Sequence, residues 1–198
     1  MNQTDFPRAL HALKNGEIII YPTDTLYALG ADIYNEAAVK KVFEIKRRPF
    51  SLPLPVAVAS KKDIETIAYI DEAAQKIIHR FLPGTLTVIL KKKPSVPAII
   101  TSGSETIAVR IPRHKIALRL LKEYGPLTVT SANIHNEKTP SVIKDILMQL
   151  QTTIPVFFDA GPLDETPSTI IDLTTPSPRV VRSGTITEKE LLDAITHG

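Results

Sequence analysis

The stretch Ile18-Ile-Ile-Tyr-Pro-Thr-Asp-Thr-Leu-Tyr-Ala-Leu-Gly30 decides how this chain folds. Its run of isoleucines predicts a buried β-strand, because β-branched side chains favour extended backbone in an apolar interior. Pro22 is expected to stop the strand, since proline has no N–H to give to a sheet. Thr23, Asp24 and Thr25 follow directly. Small polar groups at the end of a buried strand are typical of a ligand site in an α/β protein, and a capped turn explains them equally well.

The composition narrows the class of protein. A chain of 198 residues, 43% of them hydrophobic, can bury one sizeable core. It has no cysteine, which excludes disulfides and cysteine–metal sites and suits a cytoplasmic protein. The five histidines form no HxxxH pair, which argues against a metal site. No apolar run reaches membrane-spanning length, and a net charge of +3 does not by itself indicate nucleic acid.

Strand and helix patterns are mixed along the chain and predict an α/β fold. We expect a single domain over residues 1–198, with one twisted mixed β-sheet flanked by helices. Helices are predicted over 5–15, 36–47, 61–68, 71–83, 115–124, 141–150 and 187–195, the sixth of them started by Thr139-Pro140. Strands are predicted over 17–21, 54–59, 85–90, 106–111, 127–130, 156–159, 169–173 and 179–181.

Arg110 is the first candidate for binding a ligand. Because a strand has a period of two, Thr106, Ala108 and Arg110 share one face. An arginine in an apolar strand needs an anionic partner, since its guanidinium stays charged. That partner is either a bound carboxylate or phosphate, or a structural carboxylate such as Asp24 or Asp172.

Lys46 and Arg48 are the second candidate, at the end of the helix over 36–47 and just before Pro49. A lysine and an arginine two residues apart could clamp a polyphosphate. Cations at the end of a helix also complement its dipole, which explains them without a ligand.

Further polar groups follow two later strands. Ser131 and Asn133 offer a hydroxyl, an amide and backbone N–H groups for an anion or nucleotide, unless they form an ordinary loop. A hydrolase with Ser131 as nucleophile is disfavoured, because His135 lies on the same loop. Ser168 opens one strand and Arg182 closes another. Since GxxxxGK[ST] and GxGxxG are absent, a nucleotide would have to use dispersed cations and hydroxyls.

Taken in chain order, these pieces resemble the YrdC/Sua5 family of threonylcarbamoyl-adenylate synthases. The matching segments are Tyr21-Pro-Thr-Asp-Thr25 with Gly30, Lys46-x-Arg48-Pro49, Pro83-Gly84-x-x-Thr87, Ala108-Val-Arg-Ile-Pro112, Ser131-Ala-Asn133, Pro167-Ser-Thr-Ile-Ile-Asp172 and Arg182-x-Gly184. The resemblance implies a YrdC-like fold and a nucleotidyltransferase of the single-domain branch. Such an enzyme condenses L-threonine, bicarbonate and ATP into threonylcarbamoyl-AMP and pyrophosphate, and its product supplies the t6A modification of tRNA.

The resemblance also implies roles for individual residues. Around L-threonine it places Thr25, Arg110 and Ser168. Around ATP it places Lys46, Arg48, Thr106, Ser131, Asn133, Thr139 and Arg182, and the cations Lys46, Arg48 and Arg110 serve catalysis. Mg²⁺ is expected to arrive with ATP. Further partners would be tRNA or double-stranded RNA and the downstream threonylcarbamoyl-transferase machinery.

The chain departs from the family pattern at several positions, among them Tyr27-Ala28-Leu29, which varies the common Tyr-Gly-Leu form. Leu52 and Ala57 stand where many members carry an asparagine and a histidine, and His135-Asn136 stands where many carry Ser-Gly. Asn136 can still adopt the left-handed backbone that a glycine would supply. The missing histidine keeps an alternative open: a YciO-like paralogue that binds nucleotide or RNA with little or altered synthase activity.

Overall fold

The computed structural model describes residues 5–163 and 166–197, and within them the chain forms an α/β domain with two mixed sheets. The helices are α1 Asp5–Lys14, α2 Glu36–Lys46, α3 Lys61–Ile67, α4 Glu72–Phe81, α5 Ala98–Thr101, α6 Lys115–Tyr124, α7 Ile143–Leu150 and α8 Glu188–His197. The strands are β1 Ile19–Pro22, β2 Tyr27–Gly30, β3 Val56–Ala57, β4 Leu86–Lys91, β5 Thr106–Arg110, β6 Leu127–Thr128, β7 Thr130–Ser131, β8 Val156–Phe157, β9 Thr169–Asp172 and β10 Arg179–Arg182.

The strands pair in two separate orders. The small sheet has the order β7-β2-β1-β8, and the large sheet has the order β10-β9-β4-β5-β3-β6. The α/β class is therefore confirmed, but the expectation of one sheet is wrong. The strand predicted over 127–130 instead divides at Val129. β6 before it is the edge of the large sheet, and β7 after it is the edge of the small one.

Thr128 joins the two sheets at this division. Its hydroxyl donates to the carbonyl of Leu29 at 2.8 Å and accepts from the N–H of Ala31 at 2.9 Å. Its carbonyl accepts from the hydroxyl of the buried Tyr21 at 2.9 Å. Because every partner is buried, these bonds are not exchanged with water and hold the sheets at a fixed angle.

The opening stretch forms a hairpin rather than a lone strand. β1 pairs antiparallel with β2, and Pro22 pairs with Tyr27, so Pro22 is the last residue of the strand rather than its stop. The turn is closed by the N–H of Thr23, which donates to the carbonyl of Leu26 at 3.1 Å. β2 was missed because its four residues are all buried and show no alternation.

Helix positions follow the sequence closely where a cap is present. Ser60 and Asp71 accept from the N–H groups of Asp63 and Ala74 and begin α3 and α4 as predicted. α7 begins at Ile143, two residues later than predicted, and Pro140 lies outside it. The strand predicted over 54–59 shrinks to the two residues of β3, since Pro55 has no N–H to donate.

The buried apolar residues form two clusters. One buried cluster includes Val88, Val109 and Ile171, and the second joins α1 and α6 to the small sheet through Ile19 and Leu120. Within the described residues, no helix is long and apolar enough to cross a bilayer.

Candidate functional site

A cavity of about 320 Å³ lies between the two sheets. The β1–β2 turn and β7 form one wall, with Thr25 and Ser131. The inner face of the large sheet forms the other, with Ala108, Ser168 and Arg182. A loop that carries Arg48, Pro53 and Pro55 closes one end. The motifs that the sequence scatters over more than 150 residues therefore meet in one place.

Arg110 lies behind the wall rather than in it. Its Nη2 donates to Asp24 Oδ1 at 2.7 Å and to the carbonyl of Gly84 at 3.3 Å. Its Nη1 donates to the hydroxyl of Thr25 at 2.9 Å, and Thr25 lines the cavity. The structure thus supplies the structural carboxylate that the sequence kept as an alternative. Burial lowers the pKa of Arg110, and Asp24 opposes that shift.

Arg182 and Ser168 form the second polar wall. The Nε and Nη2 of Arg182 donate to the carbonyl of Ser168 at 3.1 and 2.8 Å, and Nη2 also contacts the Ser168 hydroxyl at 3.0 Å. That hydroxyl lies 2.9 Å from the hydroxyl of Thr87. Both Arg182 and Ser168 line the cavity, and their predicted contacts to a ligand stay predictions.

Arg48 reaches the cavity from the loop that follows α2. Arg47 ends the helix in the left-handed conformation, at φ 50°, and turns the chain so that Arg48 faces inwards. Its Nε and Nη2 donate to the carbonyls of Leu52 and Pro53 at 3.2 and 2.9 Å. Partial burial lowers its pKa.

Lys46 supports the wall instead of facing the cavity. Its side chain is buried, and its ammonium donates to the carbonyls of Ser131 and Asn133 and to the Asn133 side-chain oxygen. These three acceptors use all three ammonium protons. Burial, and then the charge of Arg48, lower the pKa of Lys46 to about 7.

Asn133 completes that support. Its amide donates to the carbonyls of Ile134 and Glu137 at 2.8 and 2.7 Å, and its oxygen accepts from the Ser131 hydroxyl at 2.6 Å. Ser131 lines the cavity, while Asn133 does not. The serine hydrolase alternative has no base, because the Ser131 hydroxyl donates to an amide and the His135 ring contacts Arg48.

Two predicted ATP contacts lie away from the cavity wall. Thr106 is at the outer end of β5, where its hydroxyl lies 3.0 Å from that of Ser104, and Thr139 is in the loop before α7. Thr106 does share the inward face of β5 with Ala108, as the period of two predicts. The contacts of Thr106 and Thr139 to a nucleotide stay predictions.

Thr130 and Thr23 also line the cavity, although the sequence assigned neither of them to a ligand. Thr130 was not assigned because it was taken as the last residue of a single strand over 127–130. The polar start of the β1–β2 turn was the available signal for Thr23, whose hydroxyl donates to the carbonyl of Leu26 and holds the turn.

The lining residues have a consistent chemistry. Two arginines and several hydroxyls face the cavity, and among the lining residues that the structure describes there is no carboxylate. Cations and hydroxyl donors of this kind suit an anionic ligand. A second cavity of about 430 Å³, beside Tyr34 and Tyr124, is lined by both Asp63 and Lys122 and by none of the predicted site residues.

Comparison with known proteins identifies the family of the chain. The profile of the Sua5/YciO/YrdC family, described as "Telomere recombination", matches residues 11–184. A Methanocaldococcus jannaschii protein with the provisional name threonylcarbamoyl-AMP synthase is 40% identical over 196 residues, which cover 96% of this chain and 93% of the relative.

Two crystal structures share the fold. That of Pyrococcus abyssi Sua5 complexed with L-threonine matches with a TM-score of 0.92 and 35% identity; it covers 100% of this chain, which spans 58% of the Sua5 chain. That of Escherichia coli YciO matches with a TM-score of 0.88 and 30% identity, over 96% of this chain and 94% of that one. From its motifs, fold and relatives, the chain belongs to the Sua5/YciO/YrdC family.

Proposed function

We propose that this protein is a threonylcarbamoyl-AMP synthase, which joins L-threonine, bicarbonate and ATP. The observation that carries the proposal is the cavity between the sheets, where Arg48, Arg182 and the hydroxyls of Thr25, Ser131 and Ser168 converge. Such a cavity can hold a polyphosphate and a carboxylate together. The names of the relatives point to the same reaction.

The reaction has two steps. The amine of threonine attacks the carbon of bicarbonate, which forms the C–N bond of a carbamate and releases water. A carbamate oxygen then attacks the α-phosphorus of ATP, the bond to the β-phosphate oxygen breaks, and pyrophosphate leaves. No covalent enzyme intermediate is needed, so catalysis rests on alignment and on cations near the phosphates.

In this proposal the phosphates lie between Arg48 and Arg182, because these are the two arginines that line the cavity. Lys46 acts through the wall, since it fixes the carbonyls of Ser131 and Asn133. The donors towards the phosphates are the two arginines, and preorganised donors lower the cost of reorganisation when charge shifts to the leaving pyrophosphate.

L-threonine is assigned to Thr25, Arg110 and Ser168. Arg110 donates to the Thr25 hydroxyl, and it thereby polarises a group that faces the cavity. Ser168 lies on the opposite wall between Thr87 and Arg182. A small amino acid between these hydroxyls would reach the phosphates held by the arginines.

Mg²⁺ would travel with ATP and neutralise phosphate charge. Within residues 5–163 and 166–197 no carboxylate lines the cavity, so phosphate oxygens, water and hydroxyls are the ligands that these residues leave for it. The t6A modification of tRNA in the cytoplasm, with a downstream threonylcarbamoyl transferase, is the role we assign to the product.

The RNA-binding and YciO-like alternatives are less well supported. Arg48 and Arg182 line one cavity, while Arg110 and Lys46 contact its wall, so these charges are not spread over a surface for an RNA backbone. Sequence identity to YciO, at 30%, is also lower than that to Sua5, at 35%.

Pyrophosphate release tests the proposal directly. Release from ATP should require both L-threonine and bicarbonate, and mass spectrometry should detect a threonylcarbamoyl adduct of AMP. Consumption of ATP that ignores threonine would contradict the proposal.

A further inference from the structure

His135 occupies a position at which the resemblance leads one to expect a serine. It is the second residue of a tight turn that is closed by the N–H of Glu137, which donates to the carbonyl of Ile134 at 3.0 Å. Asn136 follows with φ 67°, the left-handed conformation expected for a residue that replaces glycine. The backbone N–H of His135 donates to the carbonyl of Lys46 at 2.7 Å. The turn is therefore fixed to the end of α2.

This placement brings the ring of His135 to Arg48. Nδ1 of His135 lies 3.3 Å from Nη1 of Arg48. The other two contacts of the guanidinium are the backbone carbonyls of Leu52 and Pro53. Together these use three of its five N–H groups, so two remain for a ligand in the cavity. Among the contacts of the described residues, His135 is the one side chain that orients Arg48.

The contact requires one form of the histidine. A guanidinium only donates, so Nδ1 must carry a lone pair and the ring proton must sit on Nε2. A protonated ring would place a donor against a donor and a positive charge against Arg48. The neighbouring charges are Arg48 and Lys46 at the end of α2 and Glu137 and Lys138 along the turn. Burial, and then Arg48 and Lys46, lower the pKa of His135, which favours the neutral ring.

We infer that His135 is a positioning residue that holds the Arg48 guanidinium towards the phosphates of the nucleotide through its Nδ1 lone pair. The inference deepens the proposed function and rests on it, because it assigns Arg48 to ATP. It also explains how the chain uses a position that departs from the family pattern: the imidazole reaches a group that a serine side chain is too short to orient in the same way.

The test compares three variants. His135→Ala removes the acceptor. His135→Asn retains it, because Oδ1 of asparagine takes the place of Nδ1 in histidine, and asparagine does not titrate. His79→Ala on α4 is the matched control, since His79 contacts Lys61 far from the cavity. ATP and L-threonine are titrated separately by calorimetry, KM for ATP is measured from pH 5 to 8, and thermal unfolding is recorded for each variant.

His135→Ala should weaken ATP binding about tenfold at pH 7.5, the effect of one lost hydrogen bond to a charged group, and leave threonine binding and unfolding unchanged. His135→Asn should restore ATP binding. In the wild type and in His79→Ala, the KM for ATP should rise at low pH, because His135 becomes protonated. In His135→Asn the part of this rise that depends on His135 should be absent. ATP binding by His135→Ala that equals the wild type overturns the inference, as does an equal loss for both ligands.

The two proposals can fail separately. If the wild type binds ATP and forms the adduct while His135→Ala is unaffected, the synthase proposal stands and the role of His135 is rejected. If the wild type binds no ATP, the synthase proposal is rejected. Inorganic pyrophosphate is then titrated into the same variants: a loss in His135→Ala that His135→Asn restores supports the role of His135, and any other result rejects it.

Discussion

Arg110 and Asp24 form an ion pair behind the cavity, with Nη2 2.7 Å from Oδ1 and only 6% and 11% of the two side chains exposed. The pair joins β5 of the large sheet to the β1–β2 turn of the small one. A second Asp24 oxygen and the Nε of Arg110 are buried, and no hydrogen-bond partner for either is found among the described residues. The charges are therefore balanced mainly by each other.

Replacing Arg110 should destabilise the fold as well as affect binding. Arg110→Ala leaves a buried carboxylate without its cation, which costs about 3 kcal/mol or more. Denaturant unfolding of Arg110→Ala and of the double variant Asp24→Asn/Arg110→Ala measures this. The double variant should be the more stable of the two, because no unpaired charge stays buried. Equal stability would show that the pair does not matter energetically.

Binding by the same variants separates the two ligands. Thr25 loses its donor in Arg110→Ala, so L-threonine affinity should fall further than ATP affinity in whichever variant folds. Calorimetric titration of each ligand gives the ratio. An equal fall for both would place Arg110 outside the threonine site.

Replacing Arg182 should lower ATP affinity, whereas replacing Arg179 on the same strand should not. Arg182→Ala removes a cation that lines the cavity, and we expect ATP affinity to fall about tenfold or more. Arg179→Ala is the control, since Arg179 lies at the other end of β10, is exposed, and does not line the cavity. If both variants lose affinity equally, the effect is one of overall charge.

Lys46 should make stability depend on pH. Its pKa is about 7 in the fold and about 10.4 in the unfolded chain, so between these values the unfolded state binds more protons. Stability should therefore rise with pH across this window, by at most about 1.4 kcal/mol per pH unit. Unfolding of the wild type and of Lys46→Met from pH 7 to 9.5 tests this. The extra slope should be absent in Lys46→Met.

Restoring the family's histidine at position 57 should not improve the enzyme. Ala57 is fully buried in β3, paired with Arg110 on one side and Leu127 on the other. Ala57→His would overpack this place and cost about 1–3 kcal/mol. The side chain of Leu52 is partly exposed, so Leu52→Asn should leave the stability of the fold unchanged. Tighter threonine binding by a stable Ala57→His variant would contradict this and show that the site has room for the ring.

Replacing Gly184 should weaken ATP binding, as replacing Arg182 should. A Cβ on Gly184 would lie 2.4 Å from the N of Thr169 and 2.6 Å from the carbonyl of Pro167, both backbone atoms. Gly184→Ala should therefore displace Ser168 and weaken its contact with Arg182. We expect a lower thermal midpoint and weaker ATP binding, with Ser183→Ala as control. An unchanged thermal midpoint would mean that the start of β9 can shift to make room for the Cβ at no cost in stability.

What the sequence predicts well depends on local rules. The shared face of Ala108 and Arg110 follows from the period of a strand, and the starts of α3 and α4 follow from capping at Ser60 and Asp71. The partner of Arg110 is separated from it by 86 residues, so spacing alone could not choose between Asp24 and a ligand. The motifs identified the family without deciding which side chains face the cavity.

The division into two sheets could not be predicted from local patterns either, because it also depends on residues that are far apart in the sequence. β6 and β7 have two residues each, and their pairing depends on contacts with distant strands. Likewise, the cations at the end of α2 look equivalent in sequence. Only the fold separates Lys46, whose protons are all used inside the wall, from Arg48, which faces the cavity.

The segment 127–131 has a mechanical consequence, because one short length of backbone is an edge of both sheets. Ser131 belongs to the small sheet and Arg182 to the large one, so a change in the angle between the sheets would change the distance between these two walls of the cavity. Substitutions that tilt one sheet, such as core changes under α1 or α6, would alter ligand affinity without touching the ligand. Selection for altered affinity should therefore recover variants in the core beneath these helices as well as at the cavity wall.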